Sequence, residues 1–144
     1  MKRIMVATDG SPGGDCAVEM AAQLAAAFDS ELRIVTVLEK SLSETQANEA
    51  RRLGLSPQEA WDAAAEQVLI NAERSARRFG ASKPKVHACV GDPAEALLEY
   101  AKREQIEILV TGRRGHGRLA GLLLGSVSLK LASLAPCSVM IVPR

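Results

Sequence analysis

The sequence predicts a doubly wound α/β fold: a five-stranded parallel sheet with helices on both faces. Three observations predict it. Five short runs rich in Ile and Val, at 3 to 8, 32 to 38, 85 to 90, 106 to 111 and 138 to 142, are bounded by Gly, Pro, Asp or Ser, as strands are. Helical patterns alternate with them. The runs are apolar on both faces, which calls for a sheet covered from two sides, and right-handed crossovers then make it doubly wound.

Each element follows in order. After the first strand, Ser11 and Pro12 form a helix start, and Val18, Ala21, Ala22, Ala25 and Phe28 fall on one helical stripe. The polar stretch 39 to 55, "EKSLSETQANEARRLGL", is the one long connection and is expected to be partly helical. Ser56, Pro57 and Glu59 then give an N-cap, a first-turn proline and the acid of a capping box, opening a helix that runs to about Phe79 and ends at Gly80. Asp92, Pro93 and Glu95 repeat that signal before the next helix. The last helix follows Gly125 and stops at Ala135 and Pro136. There is no internal repeat, and residues 1 to 144 are expected to form one domain.

Composition narrows the function. A chain of 144 residues buries about two thirds of its unfolded surface, enough for one core and one principal site. With 47% hydrophobic and 24% charged residues it is an ordinary globular composition, and no apolar stretch approaches the roughly 20 residues of a membrane span. The start, "MKRIMVATDG", does not read as a signal peptide, so a cytoplasmic location and no membrane partner are expected. A net charge of +1 and four aromatic residues argue against a nucleic-acid surface. Cys16, Cys89 and Cys137 lack metal-ligand spacing and read as small buried hydrophobes. No metal site is read from the sequence. His87 reads as a core or helix-facing strand residue, and neither it nor His116 has a sequence partner that recommends a catalytic unit.

The stretch "TGRRGHGRLAGLLLGS", 111 to 126, places five glycines between a strand and a helix. Glycine permits close approach to the main chain, and so many of them suggest a phosphate ligand. In open sheets of this kind ligands sit beyond the carboxyl ends of the strands, where the strand order reverses. In the order 3-2-1-4-5, strands 1 and 4 flank that point, which sets Asp9 beside Gly112. A carboxylate there can accept from ribose hydroxyls while loop amides and the helix start after Gly125 face phosphates. A Walker loop is excluded, because Gly112 to Gly117 is followed by Arg118 and Leu119 rather than Lys and a hydroxyl residue. A dinucleotide fingerprint is excluded by the spacing of Gly115, Gly117 and Gly121 and by their place at the last crossover.

What fits is Gly112-x2-Gly115-x9-Gly125-Ser126, together with "VATDGS" near the start and "LAPCSVMIVP" near the end. These segments resemble the universal stress protein family, in its ATP-binding branch, over essentially the whole chain. The resemblance implies the five-stranded 3-2-1-4-5 sheet, a homodimer, and ATP, alone or with Mg2+. It implies that Asp9 would bind the ribose, with Thr8 beside it, and that Ala7 and Val37 would line the adenine slot. Thr111 and Gly112 would lie close to the nucleoside, and Gly115, Gly125, Ser126 and Val127 would hold phosphates. Arg113, Arg114 and Arg118 are either a solvated cluster or partners of the β- and γ-phosphates. Asp9 also has a plainer reading, as the cap of a turn before the first helix.

Three functions are weighed. A nucleotide-dependent regulatory or stress-response module with slow or no hydrolysis is favoured, since no evident general base or Walker lysine is seen and no catalytic residue is assigned. An ATP-hydrolysing or pyrophosphatase-like enzyme rests on "SPGGDC", 11 to 16, a poor match to an S-G-G-x-D loop. A dimeric scaffold without nucleotide predicts a degraded glycine loop, which the sequence does not have. The apolar last strand, expected at a sheet edge, predicts pairing of two copies through residues 138 to 142. The residues name no client protein.

Overall fold

A computed structural model describes residues 2–39, 44–113 and 124–143. Its elements are β1 (Arg3–Ala7), α1 (Pro12–Ala27), β2 (Glu31–Leu38), α2 (Glu44–Arg52), α3 (Pro57–Arg78), β3 (Lys85–Val90), α4 (Pro93–Arg103), β4 (Ile108–Gly112), α5 (Ser126–Leu134) and β5 (Ser138–Val142). All strand pairs are parallel, in the order β3-β2-β1-β4-β5. The expected sheet, order and doubly wound class are therefore observed.

The starts predicted for three helices are the ones used. Ser11, Ser56 and Asp92 are N-caps whose side chains accept from the amides of Gly14, Glu59 and Glu95, each with proline in the first turn. Alternation along the central strands then sorts the side chains. Ile4, Val6, Leu32, Ile34 and Val110 pack with the alanine-rich faces of α1 and α3, while Met5, Val35 and Leu109 pack with Leu97, Tyr100 and Leu131 of α4 and α5. Small residues on α1, from Ala17 to Ala25, let that helix lie close against β1 and β4.

Several expectations are corrected. The long polar connection, by contrast, is partly helical as expected: α2 lies within it and rests on α3. Strand β4 begins at Ile108 rather than 106, because Ile106 and Glu107 still belong to the turn after α4, where the Ile106 amide bonds Ala101 O. Phe28 does not join the α1 stripe; it is the C-cap and is 60% exposed. Strand β3 is apolar on paper yet exposed almost throughout, because it is an edge with one neighbour. The three cysteines are free and half-buried rather than buried.

At the amino ends of the strands an ion network ties β2 to α4. Arg33 bonds Glu31 through Nε at 2.6 Å and Glu104 through Nη1 at 2.5 Å, and Lys85 reaches Glu31 at 3.2 Å. Hydrogen bonds from Arg33 hold the Glu31 and Glu104 carboxyls below their ordinary range. Burial alone would lower the Arg33 pKa, but bonds to Tyr100, Glu31 and Glu104 outweigh it and raise it. The opposite, carboxyl end of the sheet is left for chemistry.

Candidate functional site

The site begins where β1 runs out. The Thr8 amide bonds Val35 O at 3.0 Å, carrying the ladder one residue past β1. The chain then turns sharply. Thr8 Oγ1 accepts from the Gly10 amide at 3.2 Å, and Asp9 Oδ1 accepts from the Ser11 amide at 2.9 Å. Gly10 sits at φ +80, where side chains are rarely tolerated, with Val68 of α3 against its bare Cα. Asp9 is thus an exposed carboxylate that does hold a turn, the plainer of its two readings.

Strand β4 ends beside this turn. A Cβ on Gly112 would stand 2.7 Å from Gly13 O, and a Cβ on Gly14 would stand 2.6 Å from Thr8 Oγ1 and 3.2 Å from Asp9 Oδ1. Gly112 and Gly14 therefore let the first turn of α1 lie close against the ends of β1 and β4, with the Asp9 turn on one side of it and Gly112 on the other. Gly13 and Gly14 are residues that the sequence reading assigned elsewhere, to a pyrophosphatase-like loop. In the structure the bareness of Gly14 is required by packing, while the Gly13 backbone is what a side chain on Gly112 would strike.

The glycine-rich segment is closed at its base by backbone bonds. The Arg113 amide bonds Val142 O at 3.1 Å, and the Gly125 amide bonds Arg113 O at 2.9 Å. Ser128 Oγ donates to Gly112 O at 2.6 Å, pinning the first turn of α5 to the end of β4. Ser128, like Val142, was missed, since neither carries a motif. Gly125 is the N-cap of α5 with φ −70 and ψ 166, an extended conformation any residue adopts, and among the described residues no side chain caps the helix. With no acid in its first turn either, α5 presents N–H groups and the positive end of its dipole to this end of the sheet. Gly115, Arg114, His116, Gly117, Arg118 and Gly121 lie outside the described residues.

On the α4–α5 face, Ala7, Val37 and Val127 are half-buried apolar residues packed at the fringe of one cluster, and Cys89 is the register partner of Val37. Burial pushes the Cys89 thiol up. Thr111 is buried at the end of β4, Arg113 is half-buried and Ser126 is exposed. His87 faces α4, with its ring 5.1 Å from that of Tyr100, and is exposed rather than core. Among the described residues no group of three or more His, Cys, Asp or Glu is placed to hold a metal ion.

A parallel doubly wound sheet whose strand order reverses between β1 and β4, with the start of α5 at the same end, defines the broad class of open α/β proteins. The chain belongs to the universal stress protein family, whose model matches residues 1–143. It is 34% identical over 145 residues to universal stress protein Rv1636 of Mycobacterium tuberculosis, covering 98% of this chain and 95% of that one. The crystal structure of a universal stress protein in complex with cAMP matches with a TM-score of 0.76 and 32% identity, over 98% of this chain and 96% of that one. The same fold is seen in universal stress protein UspA from Lactobacillus plantarum, with a TM-score of 0.80 at 23% identity, over 98% and 97% of the two chains.

Proposed function

We propose that this protein is a cytoplasmic, single-domain, ATP-binding member of its family that works as a nucleotide-dependent regulatory module, with slow or no hydrolysis. The observation that carries the reading is the start of α5, whose N-cap Gly125 has no side chain to cap it and which Ser128 and Gly125 hold against the end of β4. Buried on one side and lacking any acid, such a helix end favours an anion. Val127 and Ser126 amides, with Gly125 and Gly115, would bind phosphates. Ala7 and Val37 offer an apolar wall to adenine, with Thr8, Thr111 and Gly112 close to the nucleoside. Asp9 would accept from the ribose hydroxyls, the turn bond to Ser11 fixing its direction. Arg113, with or without Mg2+, would meet the phosphate tail. A structural relative at 32% identity is described in complex with cAMP, which supports an adenine nucleotide.

Ser11 is spent as an N-cap and Gly14 is spent on packing against Thr8 and Asp9, which gives these two residues of the loose pyrophosphatase likeness a structural cause. A homodimer through residues 138 to 142 is part of the same proposal, supported by β5 having one neighbour and by 36% exposure of Met140 at its centre. Calorimetric titration of ATP, AMP and cAMP into the parent and Asp9→Ala tests the site, beside a steady-state phosphate-release assay. Expected are binding of ATP by the parent, weakened affinity for all three nucleotides in Asp9→Ala, and turnover well below about 10 per second. Parent protein that takes up no adenine nucleotide refutes the reading. Fast Mg2+-dependent turnover, lost in Asp9→Ala with binding intact, makes it an ATPase instead.

A further inference from the structure

Away from the nucleotide crevice, at the other edge of the sheet, a groove of about 360 Å³ runs between α3 and β3. Its floor is apolar: Leu38, Ala65, Leu69, Val86 and Ala88. Val86 is 42% exposed, and Ile70 across the groove 40%. Val90, next along the same face of β3, is 53% exposed. Aliphatic surface left open in a continuous strip, rather than singly, marks contact with another molecule.

Two further features say what kind. Strand β3 pairs only with β2, so its outer edge presents alternate backbone N–H and C=O groups for a further strand. The helix rim is acidic. Asp62, Glu66 and Glu73 all line the groove, spaced four and seven residues apart along one side of α3. At about 1.5 Å per residue the outer two lie roughly 16 Å apart along the helix, close to the span of five or six extended residues at about 3.3 Å each. Nearby cations do not cancel this row. Arg77 pairs with Glu73 at 2.9 Å, but that pair is exposed and readily exchanged. Lys85 is engaged with Glu31, and the Asp62 carboxylate accepts from neutral Gln58 Nε2 at 2.9 Å.

We propose that this groove receives an extended segment of a partner protein, which adds to β3 as a sixth strand. Alternate side chains of the segment face the groove: aliphatic ones in the middle fill the floor over Val86 and Ala88, and Lys or Arg at each end lay their stems along the apolar wall with their charges at the α3 carboxylates. Strand addition supplies affinity, and the acidic rim selects a basic partner over an acidic one. The nucleotide reading plays no part in this.

The probe is the capped heptapeptide Lys-Thr-Val-Thr-Ile-Thr-Arg, fluorescently labelled, titrated into the full chain by anisotropy, with amide hydrogen exchange on the complex. Two matched peptides serve as controls, one with Glu at both ends and one with Pro at the centre. Expected is saturable binding of the basic peptide, at least tenfold weaker for either control, with slowed exchange confined to 85 to 90. Glu66→Lys should weaken binding about tenfold, while Ala88→Arg, which fills the floor, should abolish it. Both positions border solvent, and a circular dichroism melt checks that the variants fold. Equal binding of the acidic peptide, or protection elsewhere than β3, overturns the proposal. So does sedimentation showing a dimer of the chain that Ala88→Arg abolishes, since the groove would then belong to a second copy.

Discussion

Replacing Gly112 by Ala isolates the contact on which the candidate crevice is built. Its φ lies outside the strained left-handed region, so the new methyl group acts through space alone. That methyl would stand 2.7 Å from Gly13 O and 2.8 Å from its carbonyl carbon, and both are backbone atoms that no rotamer change can move away. To restore ordinary contact near 3.4 Å, the first turn of α1 must retreat from β4 by roughly 0.7 Å. Overpacking of this kind costs about 1–3 kcal/mol. Removing a glycine from the unfolded chain returns about 0.4–1 kcal/mol. The net loss, roughly 1–2 kcal/mol, lowers the melting temperature of a chain this size by roughly 3 to 8 °C. The retreat also carries the Asp9 turn with it, so ATP affinity should fall on the order of tenfold, about 1.4 kcal/mol. Calorimetric melting and ATP titration measure both. Gly80→Ala is the control: at φ +111 and near Ala26, it should lose stability at the far end of α3 without changing affinity. Unchanged melting temperature and ATP affinity in Gly112→Ala would refute the close-packed crevice.

Ser128→Ala removes the buried 2.6 Å bond to Gly112 O and should cost about 1–2 kcal/mol in urea unfolding, more than Ser133→Ala on the exposed side of the same helix. Stability should fall in acid: Glu31 and Glu104 have folded pKa values below their unfolded ones, so their contribution is complete above the ordinary carboxylate range and is lost as pH drops through the folded values. Urea midpoints from neutral pH down to about pH 3.5 should show this decline in the parent and a shallower one in Arg33→Met. Met140→Pro, which removes a ladder donor from β5, should sediment as monomer or unfold; an unaltered dimer moves the interface elsewhere. Cys89 and Cys137, with thiols pushed up by burial, should react with iodoacetamide at pH 8 more slowly than a small free thiol, measured by mass spectrometry.

Local signals made the helix starts legible, because a cap and a proline act within four residues: Ser11, Ser56 and Asp92 do what their side chains can do anywhere. The sheet order was legible through family likeness as much as through periodicity. What escaped were facts about neighbours far along the chain. Val86 and Val90 look like core residues and are not, since their exposure depends on β3 being last in the row. Phe28 matches the α1 stripe but falls at its end, beyond the sheet it was expected to cover. Gly112 could not reveal its purpose, because the backbone it makes room for belongs to Gly13, about a hundred residues earlier. Of the candidate site, Ala7, Val37 and Val127 are found at the fringe of one cluster, and Asp9 and Gly112 both lie against the first turn of α1.

The position of β1 in the middle of the sheet bears on how the chain is made. Its left-hand partner, β2, follows directly, but its right-hand partner is β4, with Ile4 against Ile108, and the bond that closes the glycine segment waits for Val142. At about 5–20 residues per second, roughly 5 to 20 s of synthesis separate β1 from β4. Through that interval a ribosome carries a chain whose central strand, with Met5 and Val6 destined for full burial, has one edge open. Such an edge is slow to satisfy by its nature and prone to pair with the wrong neighbour. Chaperone demand and loss to aggregation should therefore be concentrated in nascent chains shorter than about 112 residues, and a stalled chain ending in α4 should be far less soluble than one ending just after β4.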